Sequence, residues 1–580
     1  MRNNTPAKRI CTEAMGYTKQ YLRVGQSAKN RLFGVPPVRR GPSLNADKTP
    51  LQMLVSQDGQ VNYSRLAVVT LGLCAVALGI LMSTIPWVDY LILKQLRLWN
   101  GTLSYYYWRQ PGVLRLTKVW VFNVTNPDGF LNQGEKPRLQ EVGPFVYRED
   151  MEKVNVQFYD NGTVSFQHKK ILKFVPERSL RKDIKLVVPN IPLLTLSSKT
   201  ANLPSFMLFP LSMALRTFYG MSVFNHLTPD ELLFGYEEKL VHLAHKFYPR
   251  GMRPPAKMGL LLGRNTTLIS DIETIYTGHT SMKDFGLLDK LNGLDNLPYW
   301  DDAPCNSIRA SEGSFFPPRD ITHEDVVNIF DKDLCRVWPL RYRYDEVKDG
   351  IKVGHYTPDD NLFTSGDTYE DNKCYCPGSE DCPVDGFQDI SPCQFGAPVY
   401  TSYPHFYGVK DESITNAVEG LNPNKEKHET IVKIQQKLGV PLEARVRIQL
   451  NLKVTQANLG LTRKFPSIMM PIVWVEEGAE ELPDYLIRWI YLSTTLAEWL
   501  VPLCSYVTVA FGALILVGVF IRTYRSMVFT KENVELGKSK LRRGSSFFVN
   551  GQHKLLILRD SYTLLRNQPS MAETSFNPEN

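Results

Sequence analysis

Two long runs of uncharged, apolar residues constrain this chain more than any other feature. Residues 66–87 and 500–521 are each 22 residues long, and neither contains a charged side chain. A helix rises 1.5 Å per residue, so about 20 residues cross a hydrocarbon core of roughly 30 Å. Two such runs near opposite ends of one chain are hard to bury in a water-soluble core. The sequence therefore favours two membrane helices over two buried core helices.

The first run differs from a removable signal peptide. A signal peptide occupies roughly the first 15–30 residues and ends at a small-residue cleavage site. Here 65 residues precede the apolar run. We therefore expect residues 66–87 to remain in the protein as a signal anchor.

The distribution of charge predicts the orientation. Residues 1–65 hold 11 Lys and Arg against 3 acids, and residues 522–580 hold 10 against 5. The tails thus carry +13 of a chain whose net charge is +8, which leaves −5 for the rest. Positively charged flanks stay in the cytosol, so both tails are predicted to be cytosolic and residues 88–499 to lie outside. The basic tails favour contact with anionic inner-leaflet lipid and do not indicate nucleic acid.

The segment between the runs has two marks of an oxidising compartment. It contains N-glycosylation sequons at Asn100, Asn123, Asn161 and Asn265. It also contains six of the nine cysteines, which are Cys305, Cys335, Cys374, Cys376, Cys382 and Cys393. An even number of clustered cysteines outside the cytosol favours three disulfides. Zinc bound by the last four is the alternative, although structural zinc sites more often use repeated C-x2-4-C pairs.

Residues 201–227 form a third apolar stretch, in which Arg216 is the one full charge. Arg216 near the centre of a membrane helix would cost roughly 2.5–3.5 kcal/mol. A third span would also place Asn265 and the six clustered cysteines in the cytosol. We therefore expect one or two short helices here, with Pro210 at a first helical position. Such an apolar segment is either deeply buried or exposed as a functional patch.

The pattern of the outer segment is mostly β. Strands are predicted at 118–124, in a hairpin at 154–174 around Asp160-Asn161-Gly162, at 444–455 and at 468–475. In 444–455, the alternation of Val446, Ile448, Leu450 and Leu452 with polar residues predicts a half-buried antiparallel strand. Helices are predicted at 210–224, 228–247 and 322–332, with a capping box at Thr228-Pro-Asp-Glu231. Residues 374–404 are predicted to be loop held by disulfides.

Several motifs between the two runs resemble the class B scavenger receptors. This family includes fatty acid translocase, lysosomal integral membrane protein type 2 and the sensory neuron membrane proteins. The motifs are VFNVTNPDGFL at 121–131, EVGPFVYRE at 141–149, TPDELLFGY at 228–236, CNSIRASEGSFFPP at 305–318, CYCPGSEDCP at 374–383, DISPCQFGAPVYTSYPHF at 389–406 and MMPIVWVEEG at 469–478. Their order and spacing together make the resemblance specific.

The resemblance implies an α+β membrane protein. Two transmembrane helices would flank a large ectodomain with an antiparallel β-barrel-like core, an internal hydrophobic tunnel and an apical helical bundle. It also implies the disulfides Cys305–Cys374, Cys335–Cys393 and Cys376–Cys382. The expected domains are a basic cytosolic tail (1–65), a first span (66–87), the ectodomain (88–499), a second span (500–521) and a second cytosolic tail (522–580).

The family's apex helices, which contact ligands, correspond to residues 204–224. The resemblance implies a lipid-contact surface, with Arg216 as partner of an anionic head group, made of Phe206, Met207, Phe209, Leu211, Met213, Leu215, Arg216 and Phe218. Ordinary packing between helices is the alternative for each residue. The implied function is a scavenger receptor that binds lipids at the apex and passes them through the tunnel to the membrane.

The implied partners are fatty acids, sterols, carotenoids or lipoprotein particles. The implied location is the plasma membrane, with endosomes and lysosomes as further sites. Two alternative functions remain open. One is a receptor for a protein ligand bound at the apex, in endocytosis or lysosomal sorting, and the other is a co-receptor for lipophilic odorants.

The tails carry shorter signals. The composition of residues 1–65, which is basic and rich in Gly, Pro, Ser and Asn, predicts disorder. In the carboxyl tail, an acidic dileucine pattern and a tyrosine sorting pattern overlap at Asp560, Tyr562, Leu564 and Leu565. These residues would bind endocytic adaptors.

Catalytic motifs are missing from the sequence. Residues 259–264 lack the spacing and the Lys-Ser/Thr of a P-loop, and neither a GxSxG elbow nor an HExxH pair occurs. We interpret His405, in a Tyr-Pro-His-Phe run, as a structural residue. We therefore expect no enzymatic activity, no cofactor and no metal site.

Overall fold

The computed structural model describes residues 63–217, 220–247, 253, 255–265, 268–318, 324–376, 382–528, 535, 546–549 and 552–555. The predictions for Phe218, for most of the amino-terminal tail and for the sorting residues Asp560, Tyr562, Leu564 and Leu565 lie outside these residues. The chain forms two compact units. One is Leu71–Leu514, and the described residues before and after it belong to the other.

The described residues include twelve α-helices. In chain order they are α1 (Tyr63–Thr84), α2 (Trp87–Leu96), α3 (Leu103–Arg109), α4 (Pro127–Gln133), α5 (Ile191–Lys199), α6 (Ser205–Thr217), α7 (Pro229–Phe234), α8 (Lys239–Phe247), α9 (Glu412–Thr415), α10 (Lys425–His428), α11 (Asp484–Tyr491) and α12 (Ala497–Val528). Within the described parts of the chain, two helical segments are long and apolar enough to cross a membrane, Tyr63–Thr84 and Asp484–Ser526. The first segment matches the predicted span at 66–87 to within a few residues at each end. The second segment contains the predicted span at 500–521. The second span is the apolar part of a longer helix, which starts at α11 and continues through a π-helical turn at Leu492–Leu496.

The two spanning helices pack through small residues inside the unit Leu71–Leu514. Gly72 and Gly79 are the buried positions of α1. A Cβ atom added to Gly79 would lie 2.6 Å from Cγ2 of Val509, and one added to Gly512 would lie 2.7 Å from the carbonyl oxygen of Gly72. Small residues let membrane helices approach this closely. The glycines therefore define the contact between α1 and α12.

Seventeen strands belong to the described residues. They are β1 (Leu114–Val124), β2 (Leu139–Phe158), β3 (Thr163–Phe174), β4 (Leu186–Pro189), β5 (Phe224–Leu227), β6 (Glu273–Tyr276), β7 (Leu288–Leu291), β8 (Val326–Asp331), β9 (Arg336–Lys348), β10 (Ile351–Pro358), β11 (Gln388–Asp389), β12 (Val399–Ser402), β13 (Ile431–Gln435), β14 (Val440–Val454), β15 (Ile468–Glu481), β16 (Ser546–Val549) and β17 (Gln552–Leu555). The predicted strands at 118–124 and 468–475 lie within β1 and β15, the predicted hairpin at 154–174 is formed by β2 and β3, and the strand predicted at 444–455 matches β14 except at Thr455.

Thirteen of the strands form one antiparallel sheet in the order β7-β6-β3-β2-β1-β15-β14-β13-β10-β9-β8, with β12 and β11 branching from β14. Ser311 joins the two ends of this sheet. It bridges to Leu287, beside β7, and to Ile329 of β8. Its backbone nitrogen donates to the carbonyl oxygen of Asn328 at 2.9 Å, and its own carbonyl oxygen accepts from the nitrogen of Phe330 at 2.8 Å. The sheet is therefore closed, which confirms the expected barrel-like core.

Three helix predictions need correction. The predicted helix at 322–332 is wrong over its described part, since β8 occupies Val326–Asp331; its β-branched and aromatic residues favour a strand. The predicted helix at 228–247 is two helices, because Gly235, at a φ of 119°, ends α7. The predicted helix at 210–224 has wrong bounds, since α6 is Ser205–Thr217 and β5 begins at Phe224, so Pro210 lies inside the helix and not at its first position. The capping box of Thr228 and Glu231 is confirmed at the start of α7.

The polar side of β14 is more buried than the sequence pattern predicts. Gln449 and Asn451 are fully buried, whereas Ile448 and Leu450 are only half-buried. Nε2 of Gln449 donates to Oδ1 of Asn451 at 2.7 Å, and Nδ2 of Asn451 donates to Oγ of Ser402 at 2.9 Å. These hydrogen bonds satisfy the buried amides. Both faces of the strand can therefore be covered.

Candidate functional site

Helix α6 presents an apolar stripe to solvent. Phe206 and Phe209 are 76% and 73% exposed, and Met207 and Met213 are also exposed. Phe206, Phe209 and Met213 are separated by three and four residues, so they line one side of the helix. Arg216 is exposed near the end of the same helix. An exposed cluster of large apolar side chains is unusual on a soluble surface.

The opposite side of α6 packs into the protein. Leu215 is 2% exposed and belongs with Leu208 to a large apolar cluster, against which Leu211 is half-buried. Of the eight predicted contact residues, Leu215 therefore lies in the core and faces away from solvent. The helix is therefore apolar on two sides. One side packs into the core, and the other faces solvent.

The six ectodomain cysteines are bonded in pairs, as Cys305–Cys374, Cys335–Cys393 and Cys376–Cys382. These pairs are the ones that the family resemblance implies. Among the sequons, Asn100, Asn161 and Asn265 are exposed. Asn123 is half-buried within β1, and its Oδ1 accepts a hydrogen bond from the nitrogen of Val187 at 2.8 Å. A glycan fits the three exposed asparagines more readily than Asn123.

A belt of charges lies on the inner face of the closed sheet. Directly paired residues of antiparallel strands share a face, and Arg115 of β1 pairs with both Glu149 of β2 and Ala479 of β15. Nζ of Lys170 lies 3.1 Å from Oε2 of Glu149. Burial opposes the ionisation of Glu149, but the positive charges of Arg115 and Lys170 outweigh it and lower the pKa of this carboxyl to about 2.

Arg264 extends this belt across the sheet. It forms ion pairs with Glu477 of β15 and with Asp333, which follows β8. Arg264 thus links a central strand of the sheet to the segment that follows its last strand. Burial opposes the ionisation of Asp333, but Arg264 outweighs it and lowers the pKa of the Asp333 carboxyl.

A second charged group adjoins the belt. His168, Glu273 and Glu312 hold their ligand-type atoms within 4.8 Å of one another, a spacing that a metal ion could use. However, Nζ of Lys153 lies 3.1 Å from Oε1 of Glu312 and donates to Oγ of Ser314 at 2.6 Å. Burial opposes the ionisation of Glu312, but Lys153 outweighs it and lowers the pKa of the Glu312 carboxyl. The buried ammonium thus supplies the positive charge that these groups need.

A cavity of about 110 Å³ lies at the base of the ectodomain, beside the elements that lead to the spans. Helices α3 and α11, the first residues of β1 and β14, and the segment 313–315 form its walls. Its lining residues are Leu96, Leu103, Ser104, Tyr107, Trp108, Pro111, Val113, Arg115, Gly313, Ser314, Phe315, Val440, Pro441, Ala479, Leu482, Leu486 and Trp489. Arg115 is the one Lys, Arg, Asp or Glu in this set. The cavity is therefore apolar with a single cation.

Two histidines stack in a buried pair next to β14. The rings of His405 and His428 are 4.6 Å apart and nearly parallel. Nδ1 of His405 accepts from the backbone nitrogen of Asn422, and Nδ1 of His428 accepts from that of Asn424, both at 3.0 Å. A ring nitrogen that accepts a hydrogen bond carries no proton. Both rings therefore brace loop backbone, which agrees with the structural interpretation of His405.

Sequence patterns did not reveal Arg115, the charged belt or His428 as members of a site. The belt joins residues from β1, β2, β3, β15 and two loops, and its members are far apart in the chain. The one local signal is the run of polar residues around Lys170 in the predicted hairpin at 154–174. That pattern ordinarily indicates a solvated face.

Comparison with known proteins agrees with this architecture. The model of the CD36 family matches residues 69–523. Scavenger receptor class B member 1 of Mus musculus is 33% identical over 464 residues, which cover 79% of this chain and 88% of the mouse protein. Lysosome membrane protein 2 of Homo sapiens is 33% identical over 395 residues, which cover 67% of this chain and 80% of the human protein. The chain therefore belongs to the CD36 family.

Proposed function

We propose that the protein is a membrane receptor that binds lipid or lipoprotein at the exposed side of α6 and transfers lipid toward the membrane through its closed sheet. The observation that carries this proposal is the exposed stripe of Phe206, Phe209 and Met213. An acyl or sterol surface would cover it, and each buried CH2 contributes about 0.8 kcal/mol. The relationship to scavenger receptors supports the same role.

Passage through the sheet would require movement. Val119, Val121 and Val473 are fully buried on the inner face. A lipid moving from α6 to the base cavity would have to part these side chains. Ile448 and Val475 lie on the same face and are only half-buried. We expect the lipid to pass most easily beside these two side chains.

The test is uptake of a fluorescent cholesteryl ester and a fluorescent fatty acid by cells that express Phe206→Ser with Phe209→Ser. We expect uptake of at least one probe to fall severalfold at equal surface expression. Leu294→Ser is the matched control, because Leu294 is an exposed aliphatic residue outside α6. Uptake of both probes at the wild-type rate in the α6 variant would contradict the proposal.

A protein ligand at the same stripe is the second candidate, and the relationship to a lysosome membrane protein supports it. Full-length protein extracted from cells without bound lipid, but with one partner protein that the α6 variant fails to retain, would favour this candidate. For either ligand, we propose a location at the plasma membrane and in endosomes or lysosomes, with both tails cytosolic. We propose no catalytic role.

A further inference from the structure

The base cavity holds a cation whose hydrogen-bonding capacity is mostly unused. Nε of Arg115 lies 3.6 Å from Oε1 of Glu149, and its Nη1 lies 3.9 Å from Sδ of Met151. Within the described part of the chain, neither these contacts nor any other gives the guanidinium a hydrogen bond to oxygen. Its side chain is 37% exposed, and it lines the cavity.

Glu149 pairs with Arg115 by charge but without a hydrogen bond, and it lies closer to another cation. Its Oε2 lies 3.1 Å from Nζ of Lys170, whereas its Oε1 has no hydrogen-bond partner among the described residues. One carboxylate thus faces two positive charges. A guanidinium carries five N–H donors in a planar fork that matches a carboxylate or a phosphate. The fork of Arg115 is therefore free to receive a second anion from the cavity.

The rest of the cavity fits a hydrocarbon chain. Leu103, Phe315, Leu486 and Trp489 are among its walls. Trp108 is no competing donor, because its Nε1 donates to Oε1 of Glu312 at 3.3 Å. A neutral head group would add no charge partner to the guanidinium, whereas an anionic one would give it the hydrogen bonds to oxygen that it lacks.

We propose that this cavity binds the anionic head group of a single-chain lipid, with Arg115 as the residue that recognises it; this inference rests on the proposed function. A volume of about 110 Å³ holds a head group and the first few carbons of a chain. The remaining carbons leave along α11, which continues into the second span. The shared chemistry is an anion on one acyl chain, either the carboxylate of a fatty acid or the phosphate of a lysophospholipid.

The test uses full-length protein in nanodiscs of neutral phosphatidylcholine. Three fluorescent probes are titrated: a fatty acid, a lysophosphatidic acid and a neutral monoacylglycerol of the same chain length. We expect Arg115→Gln to weaken binding of at least one anionic probe by about tenfold or more, with no change for the monoacylglycerol. Whichever anionic probe loses affinity identifies the head group.

Two further variants separate recognition from folding. Arg109→Gln removes an exposed arginine of α3 that does not line the cavity, and we expect it to bind like wild type. Arg115→Lys keeps the charge but loses the fork, so it should recover only part of the affinity. A fatty acid with a photoreactive chain should label the segments 96–115 or 482–489 in wild type and label them less in Arg115→Gln.

Equal affinity of wild type and Arg115→Gln for both anionic probes would overturn the inference, as would equal losses for all three probes. Neither result would contradict the proposed function, because that function is tested by the uptake experiment on α6. Conversely, loss of anionic binding in Arg115→Gln with wild-type uptake by the α6 variant would support the cavity site and reject the role of α6.

Discussion

We expect the stacked histidines to make the stability of the ectodomain depend on pH. Burial and the neighbouring His405 lower the pKa of His428 from 6.5 to about 4. Protonation would also place a proton on Nδ1, which now accepts the N–H of Asn424 at 3.0 Å. Arg447 and Lys427 add positive charge nearby, and Glu141 partly offsets it.

The sign and size of the effect follow from proton linkage. Between the two pKa values the unfolded chain binds a proton at His428 that the folded chain does not, so acid favours unfolding. From about pH 7.5 to about pH 5, a shift from 6.5 to about 4 removes about 2 kcal/mol of stability. For an ectodomain of this size, that corresponds to a fall in Tm of roughly 2–3 °C.

The variant His428→Asn isolates this contribution, because the amide oxygen of Asn can accept the same backbone N–H without titrating. Melting of the full-length protein in detergent is followed by tryptophan fluorescence at both pH values. We expect His428→Asn to lose roughly 2–3 °C less than wild type on acidification. His226→Asn, at an exposed position, is the control and should behave like wild type. The same acid-induced loss in His428→Asn and wild type would refute the reasoning.

Three further predictions test the packing. Gly79→Leu should separate α1 from α12 and lower Tm in detergent, whereas Gly518→Leu should not, since an added Cβ there meets no described atom within 4 Å. Thr228→Ala should weaken the start of α7 by about 1 kcal/mol and speed hydrogen exchange in Pro229–Phe234 about fivefold. Lys153→Met should cost about 3–5 kcal/mol by leaving Glu312 buried without its partner, and adding Glu312→Gln should restore part of the lost Tm.

Features with a local cause could be predicted from the sequence. The spans follow from apolar length, the β2–β3 hairpin from Asp160-Asn161-Gly162, and the start of α7 from the spacing of Thr228 and Glu231. In each case the residues that determine the structure are neighbours in the chain. The closure of the sheet was expected only from family resemblance, because Ser311 bridges strands on both sides of it and no periodicity marks such a residue.

Features that depend on distant partners were missed. The alternation in β14 indicated one covered face, but Arg447, Gln449 and Asn451 are buried as well. Arg447 donates from Nε to Oε2 of Glu476 at 2.7 Å, on the neighbouring strand β15. Binary patterning counts a polar residue as exposed unless a partner is known, and this partner is 29 residues away. The strand itself was predicted correctly. The burial of its polar side chains was missed because the sequence does not show which residues of the neighbouring strand they face.

The same limit applies to Arg115, whose environment bears on the proposed transfer of lipid. Arg115, Lys170 and Arg264 place three cations along the inner face, with Glu149 beside two of them. A neutral lipid crossing this belt would separate ion pairs and gain no replacement partner. An anionic head group could replace one carboxylate contact at each cation as it moves. If lipid is transferred through the sheet, the belt should therefore favour anionic single-chain lipids over neutral ones, and the base cavity is where that preference should be measurable as binding.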